Sequence, residues 1–506
     1  MADYDLIVIG AGPAGFTAAV RGWDYGKRVA LIEKGPLGGV GVHDGALSSK
    51  TLWELSKDYR KALRQDRGFV AQSVELDYRQ VIRCVEQALA EKVGQFERQL
   101  TALSQPRQGQ PGSVTLVRGT ARFLDANTVA VDGDEGKRVL TGERFVVATG
   151  SRPRELPGTP VDGRLVLSSD HLMSLREFPS SLVIVGAGVV GCEFATIFAN
   201  FGQTKVYLVD RADRILPFED EDVSRTCSRN LEAKGVTIHH RASLVAMTTV
   251  GDEVEYTIEH HTGGRETIRV ERALISIGRI PNTESLDLDL AGVNLTDRGH
   301  IVHQHCVTSA DHIYAVGDVT ADVALVSVGE LEARHAVECM YAGLCEPLSY
   351  DNICSIYFLD PEVAGCGMSE LEAQKKRIPY RVASYGYGLI SRAVAMRSTD
   401  GFMKLLVTDD DEMRILGMRA LGPHSSAAIE AVSLIMSQGR SVKDLADVLH
   451  PHPAITEGVQ DCIRMLLGTS IWKPHVFQSE LRLSRVTYAD DGTAQQETLR
   501  KEPKGK

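Results

Sequence analysis

Apolar and polar positions fall into short blocks from the start of the chain. "YDLIVIG" is an apolar run, "AGPAGFTAAVRGWDYGK" continues as a helix, and "RVALIEK" is a second apolar run. This order predicts a βαβ unit. The pattern returns once, in "SLVIVG", "AGVVGCEFATIFANFG" and "KVYLVD". Between the copies, Val81, Val85, Leu89, Val93, Phe96, Leu100 and Leu103 recur at steps of four and three, which predicts one long amphipathic helix. "SQPRQGQPGS" ends it, the short strands "VTLVRGTARFL" and "TVAVDG" follow, and "FVVATGSRPRELPG" closes the first half-domain. From about Asp351 the texture becomes alternating strands such as "FMKLLVTDDDEMRILGMRALG", with a helix around Ala427–Ser437, an α+β pattern. The last stretch, "TYADDGTAQQETLRKEPKGK", is polar and is expected to be disordered.

Each βαβ copy carries GxGxxG between its first strand and its helix: Gly10, Gly12 and Gly15, then Gly186, Gly188 and Gly191. Each second strand ends in an acid, Glu33 and Asp210. Glycines let the backbone approach a pyrophosphate at a helix N-terminus, and the acid accepts hydrogen bonds from ribose hydroxyls. One such motif is weak evidence; two in the same context imply two dinucleotide sites.

Composition adds exclusions. The chain has 506 residues, 43% hydrophobic and 24% charged, so about three soluble globular domains are expected. A net charge of −11 offers no basic field for nucleic acid. No uncharged apolar run reaches the roughly 18 residues of a membrane span. The acidic N-terminus reads as a first strand, not a signal peptide. The 9 cysteines are an odd count with no CxxC, read as mostly buried free thiols in a reducing cytoplasm. No metal-ligand spacing stands out.

Further segments carry a resemblance. "VVATGSRPRELPG", "LISIGRIPNTESL", "IYAVGDVT", "DPEVAGCGMSELEA", "ILGMRALGPHSSAAIE" and "HPHPAITEG" resemble, in order, signatures of the pyridine nucleotide–disulfide oxidoreductases. The closest branches in texture are dihydrolipoamide dehydrogenases, soluble transhydrogenases and cysteine-poor quinone reductases. The resemblance implies an α/β, glutathione-reductase-like fold: two Rossmann-like dinucleotide-binding domains plus a C-terminal α+β dimerisation domain. It implies an FAD domain over 1–150 and 281–348, an NAD domain over 151–280, the dimerisation domain over 349–470 and an extension over 471–506. A homodimer binding FAD and NAD follows. By the same resemblance Gly10, Gly12, Gly15 and Glu33 hold the adenosine diphosphate of FAD, and Asp318 holds its ribityl chain. Lys50 lies beside flavin N5, paired with Glu193. Gly186, Gly188, Gly191 and Asp210 hold the nicotinamide nucleotide. His452 and Glu457 form the acid/base pair that acts on the opposite subunit.

Asp210 would repel a 2′-phosphate, which favours NADH, while Arg211 beside it keeps NADPH open. The family loop has the form GGxCxxxxCxPSK, and this chain has "GGVGVHDGALSSK". Gly41 and Ala46 stand at the cysteine positions, and the first cysteine of the chain is Cys84. The implied function is an FAD-dependent NADH oxidoreductase delivering electrons to a small-molecule, non-disulfide acceptor: a quinone, a second pyridine nucleotide or oxygen. The alternative is an NADH-oxidising relay that docks a protein partner through the C-terminal extension. Two readings stand for His452: dimer packing, or protonation of the new acceptor. Two also stand for His43 and Asp44: a simple turn, or polar groups lining the vacated space.

Overall fold

The computed structural model describes residues 2–499 apart from 108, 135 and 490. The chain divides into two units, one of residues 1–186, 245–257 and 266–348, the other of residues 187–244, 258–265 and 349–506.

In the first unit, Tyr4–Ile9 lies parallel to Arg28–Glu33 on one side and to Gly136–Val147 on the other. The sheet runs His303–Gln304, Val307–Thr308, Ile313–Ala315, Gly136–Val147, Tyr4–Ile9, Arg28–Glu33, Ser113–Arg118. Leu6, Ile7, Val8 and Phe145 have no solvent exposure. Both faces of these strands are covered, which explains unbroken apolar runs in place of alternation. The helices Pro13–Asp24 and Val326–Ala342 supply Ala18, Ala19, Ala333 and Ala336 to the core against one face. The long helix forms over Tyr78–Leu103, with Val81, Val85, Leu100 and Leu103 buried. Its Phe96 ring packs 4.5 Å from Phe16. This unit also holds the parallel trio Val166–Ser168, Arg272–Ile275 and Ser181–Val185, the last leading into the second glycine turn.

In the second unit the helix Val189–Phe201 is followed by Lys205–Val209, parallel to Thr237–His239. A seven-stranded sheet follows the order Cys354–Tyr357, Val363–Gly367, Ile415–Leu421, Phe402–Thr408, Tyr380–Gly386, Leu481–Tyr488, Ala494–Thr498. The helices Ser426–Ser437 and Glu457–Leu467 contribute Ile429, Val432, Val459 and Ile463 to its core.

One expectation needs correction. The polar tail is not featureless. Leu481–Tyr488 pairs along Tyr380–Gly386, and Ala494–Thr498 pairs in turn with it. Just before that tail, Leu481, Leu483 and Val486 are buried, Arg485 reaches Asp409 at 2.8 Å, and Arg482 pairs with Glu370. Residues 500–506 of that tail lie outside the described residues. The cysteines are mostly free thiols, as expected, with one pair as the exception. Cys339 and Cys345 form a disulfide across a separation of 6 residues, at the C-terminal end of the helix Val326–Ala342, while the other 7 cysteines are free.

The second unit also buries a charge that no pattern announced. Lys404 has no exposed side chain, and its Nζ meets Asp222 at 2.6 Å, Asp220 at 2.8 Å and Glu370 at 2.9 Å. Desolvation alone would lower the Lys404 pKa, but Asp222, Glu370 and Asp220 outweigh it and raise it. These acids could group around a metal ion. They already share the Lys404 cation.

Candidate functional site

The first glycine turn is shaped by close approach. Gly10 has φ +102°, and a Cβ there would meet the Ala148 oxygen at 2.4 Å. A Cβ on Gly15 would lie 1.8 Å from the Gly10 oxygen, so the helix can start this near the strand only with glycine at both places. Gly12, at the helix N-cap, faces open space. This is the room a pyrophosphate needs at the exposed N–H groups of a helix start. Glu33 closes the turn from below: its Oε2 accepts the Ala11 N–H at 2.6 Å and its Oε1 the Gly35 N–H at 2.7 Å.

Asp318 lies in the single helical turn Gly317–Val319 and accepts a hydrogen bond from Ser151 Oγ at 2.7 Å. Arg279 fixes Ser151, donating from Nε to its hydroxyl at 2.8 Å and from Nη2 to its carbonyl at 2.7 Å. Asp318, Ser151 and Arg279 line a cavity of about 580 Å³ together with Arg298, His300 and Asp322. The Gly317 N–H is held by buried Glu332 at 2.6 Å. Ser151, Arg279 and Glu332 were not singled out in the sequence, although Ser151 and Arg279 stand in "TGSRPRELPG" and "IGRIPN". The open turn, the two acids and this cavity fit an extended dinucleotide such as FAD.

The loop over residues 38–50 packs onto the same turn. Gly38 donates its N–H to the Ala11 carbonyl at 2.9 Å. A Cβ on Gly41 would lie 2.5 Å from Cγ and 3.0 Å from Cδ of Pro13, a rigid ring, so a side chain at 41 displaces the loop. His43 Nε2 bonds the Leu37 carbonyl at 2.9 Å, which ties it to local chain structure. Asp44 is half-buried, and desolvation, with Asp170 adding repulsion, raises its pKa against the lowering influence of His43, Arg279 and His171. Ala46 and Lys50 lie four residues apart on the helix Ala46–Ala62 and so share a face. Lys50 Nζ donates to Ser49 Oγ at 3.3 Å.

The second nucleotide turn has the same form as the first. Gly186 has φ +105°, Gly188 caps the helix Val189–Phe201 and faces open space, and Gly191 is buried. Asp210 Oδ2 accepts the Ala187 N–H at 2.6 Å and Oδ1 the Ala212 N–H at 2.8 Å. Arg211 and Arg241 line a cavity of about 580 Å³ with His260 and His261, but so do Asp213 and Glu259. Buried Glu193 accepts the Phe358 N–H at 3.0 Å. Glu193 and Lys50 belong to different units.

His452 and Glu457 are brought together as expected: His452 Nδ1 lies 2.8 Å from Glu457 Oε1, and Oε2 accepts the Ala454 N–H at 2.9 Å. Burial would raise the Glu457 carboxyl, but the hydrogen bonds from His452 and Ala454 dominate and hold it below the usual carboxylate value. The His452 side chain is 68% exposed, leaving its other nitrogen open to solvent or a partner surface.

Among the described residues no helix is long and apolar enough to cross a membrane. A family model described as pyridine nucleotide-disulphide oxidoreductase matches residues 4–339, and the dimerisation domain of that family matches residues 353–463. Dihydrolipoyl dehydrogenase of Geobacillus stearothermophilus is 34% identical over 471 residues, 93% of this chain and 97% of the relative. Leghemoglobin reductase of Glycine max is 31% identical, covering 96% of this chain and 91% of the relative. The solved HOCl-induced flavoprotein disulfide reductase RclA of Escherichia coli superposes with a TM-score of 0.82 at 27% identity, covering 92% of this chain and 100% of that one.

Proposed function

The chain belongs to the pyridine nucleotide-disulphide oxidoreductases, a family of flavin-dependent enzymes that bind FAD and NAD(P), and on that premise we propose that it oxidises NADH and delivers the electrons to a non-disulfide acceptor. The acceptor classes are a quinone, a second pyridine nucleotide and dioxygen. One observation carries the reading: Gly41 stands where the first relay cysteine is expected and is packed against Pro13, while the chain has no cysteine before Cys84. The Cys339–Cys345 disulfide does not substitute. Gly41 faces Val326, at the start of the helix that ends beside Cys339, and thirteen residues of helical rise separate those ends by about 20 Å.

When bound, FAD supplies a hydride acceptor for NADH and a two-electron donor for the second substrate. The chain's residues do the rest. Gly10, Gly12, Gly15 and Glu33 hold the adenosine diphosphate half, and Asp318, oriented by Ser151 and Arg279, holds the ribityl chain. Lys50 places a cation where negative charge develops. Gly186, Gly188, Gly191 and Asp210 seat NADH, and Glu193 borders the nicotinamide. Asp44, half-buried in the rewritten loop with its pKa raised by burial, is the candidate proton donor to the reduced acceptor. His452, held by Glu457, is a second proton source acting across a homodimer.

A second reading is a relay subunit that still oxidises NADH. It is supported by the strand Ala494–Thr498, exposed along its whole length at the edge of a sheet, where a partner strand could add. Assay of the purified holoenzyme with NADH against a quinone, a nicotinamide analogue, dioxygen and lipoamide separates the cases. Turnover with any of the first three and none with lipoamide supports the leading reading. Bleaching by NADH with no small acceptor supports the relay, and rapid lipoamide turnover overturns both.

A further inference from the structure

The strands Cys354–Tyr357 and Val363–Gly367 are antiparallel neighbours, and their register sets Cys354 directly opposite Cys366. Residues so paired point to one face, with Cα atoms about 4.5 or 5.5 Å apart. A disulfide bridges about 4.4–6.8 Å, so this pair can close without moving either strand. Both are free thiols. They differ in environment. Cys366 is 1% exposed in the core of the sheet, whereas Cys354 is half-buried and packs against that core from the edge strand.

The difference assigns roles. Next to Cys366 and Ser433, Cys354 has its pKa lowered to about 6, against the opposing influence of burial and the Glu430 charge. The neighbouring Cys354 and burial push Cys366 well up, and its Sγ donates to the Ile429 carbonyl at 3.8 Å. Cys354, reachable from the edge strand, is therefore the nucleophile, and Cys366, sealed in the core, the protonated neighbour.

We propose that Cys354 and Cys366 form a reversible redox site that reacts with hydroperoxides, with Cys354 as the attacking thiolate and Cys366 as the resolving thiol. Cys354 Sγ attacks one peroxide oxygen; the S–O bond forms, the O–O bond breaks, and the departing oxygen takes up a proton as water. Cys366 Sγ then attacks the sulfenic sulfur; the S–S bond forms, the S–O bond breaks, and a second water leaves. Two thiols lose two electrons in total and one hydrogen peroxide becomes two waters. A dithiol reductant reverses the change. The site needs neither the flavin nor the nicotinamide nucleotide, so it stands or falls independently of the proposed oxidoreductase activity.

The test treats the full-length holoenzyme with stoichiometric hydrogen peroxide, blocks remaining thiols, and digests without reduction with chymotrypsin, which cuts between the cysteines at Tyr357 and Phe358. The expected result is a peptide pair joined through Cys354 and Cys366, two hydrogens lighter than the dithiol form and separated again by dithiothreitol. In Cys366→Ser, dimedone should trap a sulfenic acid at Cys354; in Cys354→Ser, Cys366 should give neither adduct nor link. Circular dichroism shows whether each variant is folded. No Cys354–Cys366 link in the wild type, or dimedone capture at Cys84 ahead of Cys354 in folded Cys366→Ser, overturns the proposal.

Discussion

The Glu33 carboxylate accepts the Ala11 N–H at 2.6 Å, and Asp210 accepts the Ala187 N–H at the same 2.6 Å, each 22 or 23 residues along the chain from its partner. The acid at the end of each second strand is thus a clamp on its glycine turn before any ribose arrives. Asp210→Ala removes the acceptor of two N–H groups. It should cost about 1–3 kcal/mol of stability without nucleotide, read from urea unfolding of the apo protein. An apo protein as stable as wild type would confine Asp210 to nucleotide recognition.

Placing cysteines at the two positions where the family loop carries them should not create relay chemistry. Gly41→Cys drives a Cβ into the Pro13 ring, an overpacking change worth about 1–3 kcal/mol. The double change with Ala46→Cys should unfold at lower temperature and show no lipoamide turnover. A stable, lipoamide-active double variant contradicts the packing argument.

Asp44 gives a pH signature. Its pKa in the folded protein is raised above the ordinary 3.8, chiefly by burial. The folded state therefore favours the protonated acid, and that contribution is full below the ordinary value and lost as pH rises through the raised one. Asp44→Asn should match wild-type stability at the acid end and exceed it at neutral pH. If Asp44 is the proton donor, the same variant loses turnover on the order of 100-fold with the best acceptor. A stability gap that does not change with pH contradicts the burial argument.

Lys404→Met leaves Asp220, Asp222 and Glu370 without their shared cation. Removing one partner from a buried charge set costs about 3–5 kcal/mol. Chemical denaturation should show that loss, and a much smaller one for Lys61→Met, whose contact with Asp58 is on an exposed helix surface at 3.5 Å.

What the sequence made legible was whatever short range determines. The glycine turns, their acids and the helix Tyr78–Leu103 rest on local spacing, and His452–Glu457 on a five-residue offset. The rest depends on register and long-range pairing. Ala494–Thr498 is exposed throughout, so no alternation marks it, and it becomes a strand only because Leu481–Tyr488 offers an edge. The Lys404 cluster gathers acids from far along the chain, and Cys339–Cys345 has no local pattern of its own. The Arg279–Ser151–Asp318 chain joins three segments that were each noted, but whose contact only folding supplies.

The central claim, that electrons leave without a dithiol relay, is tested most directly by anaerobic titration of the FAD-loaded enzyme with NADH, followed by its absorption spectrum. The account predicts full bleaching at one hydride equivalent per flavin and no long-wavelength thiolate-to-flavin band. Uptake of two equivalents with that band would contradict it.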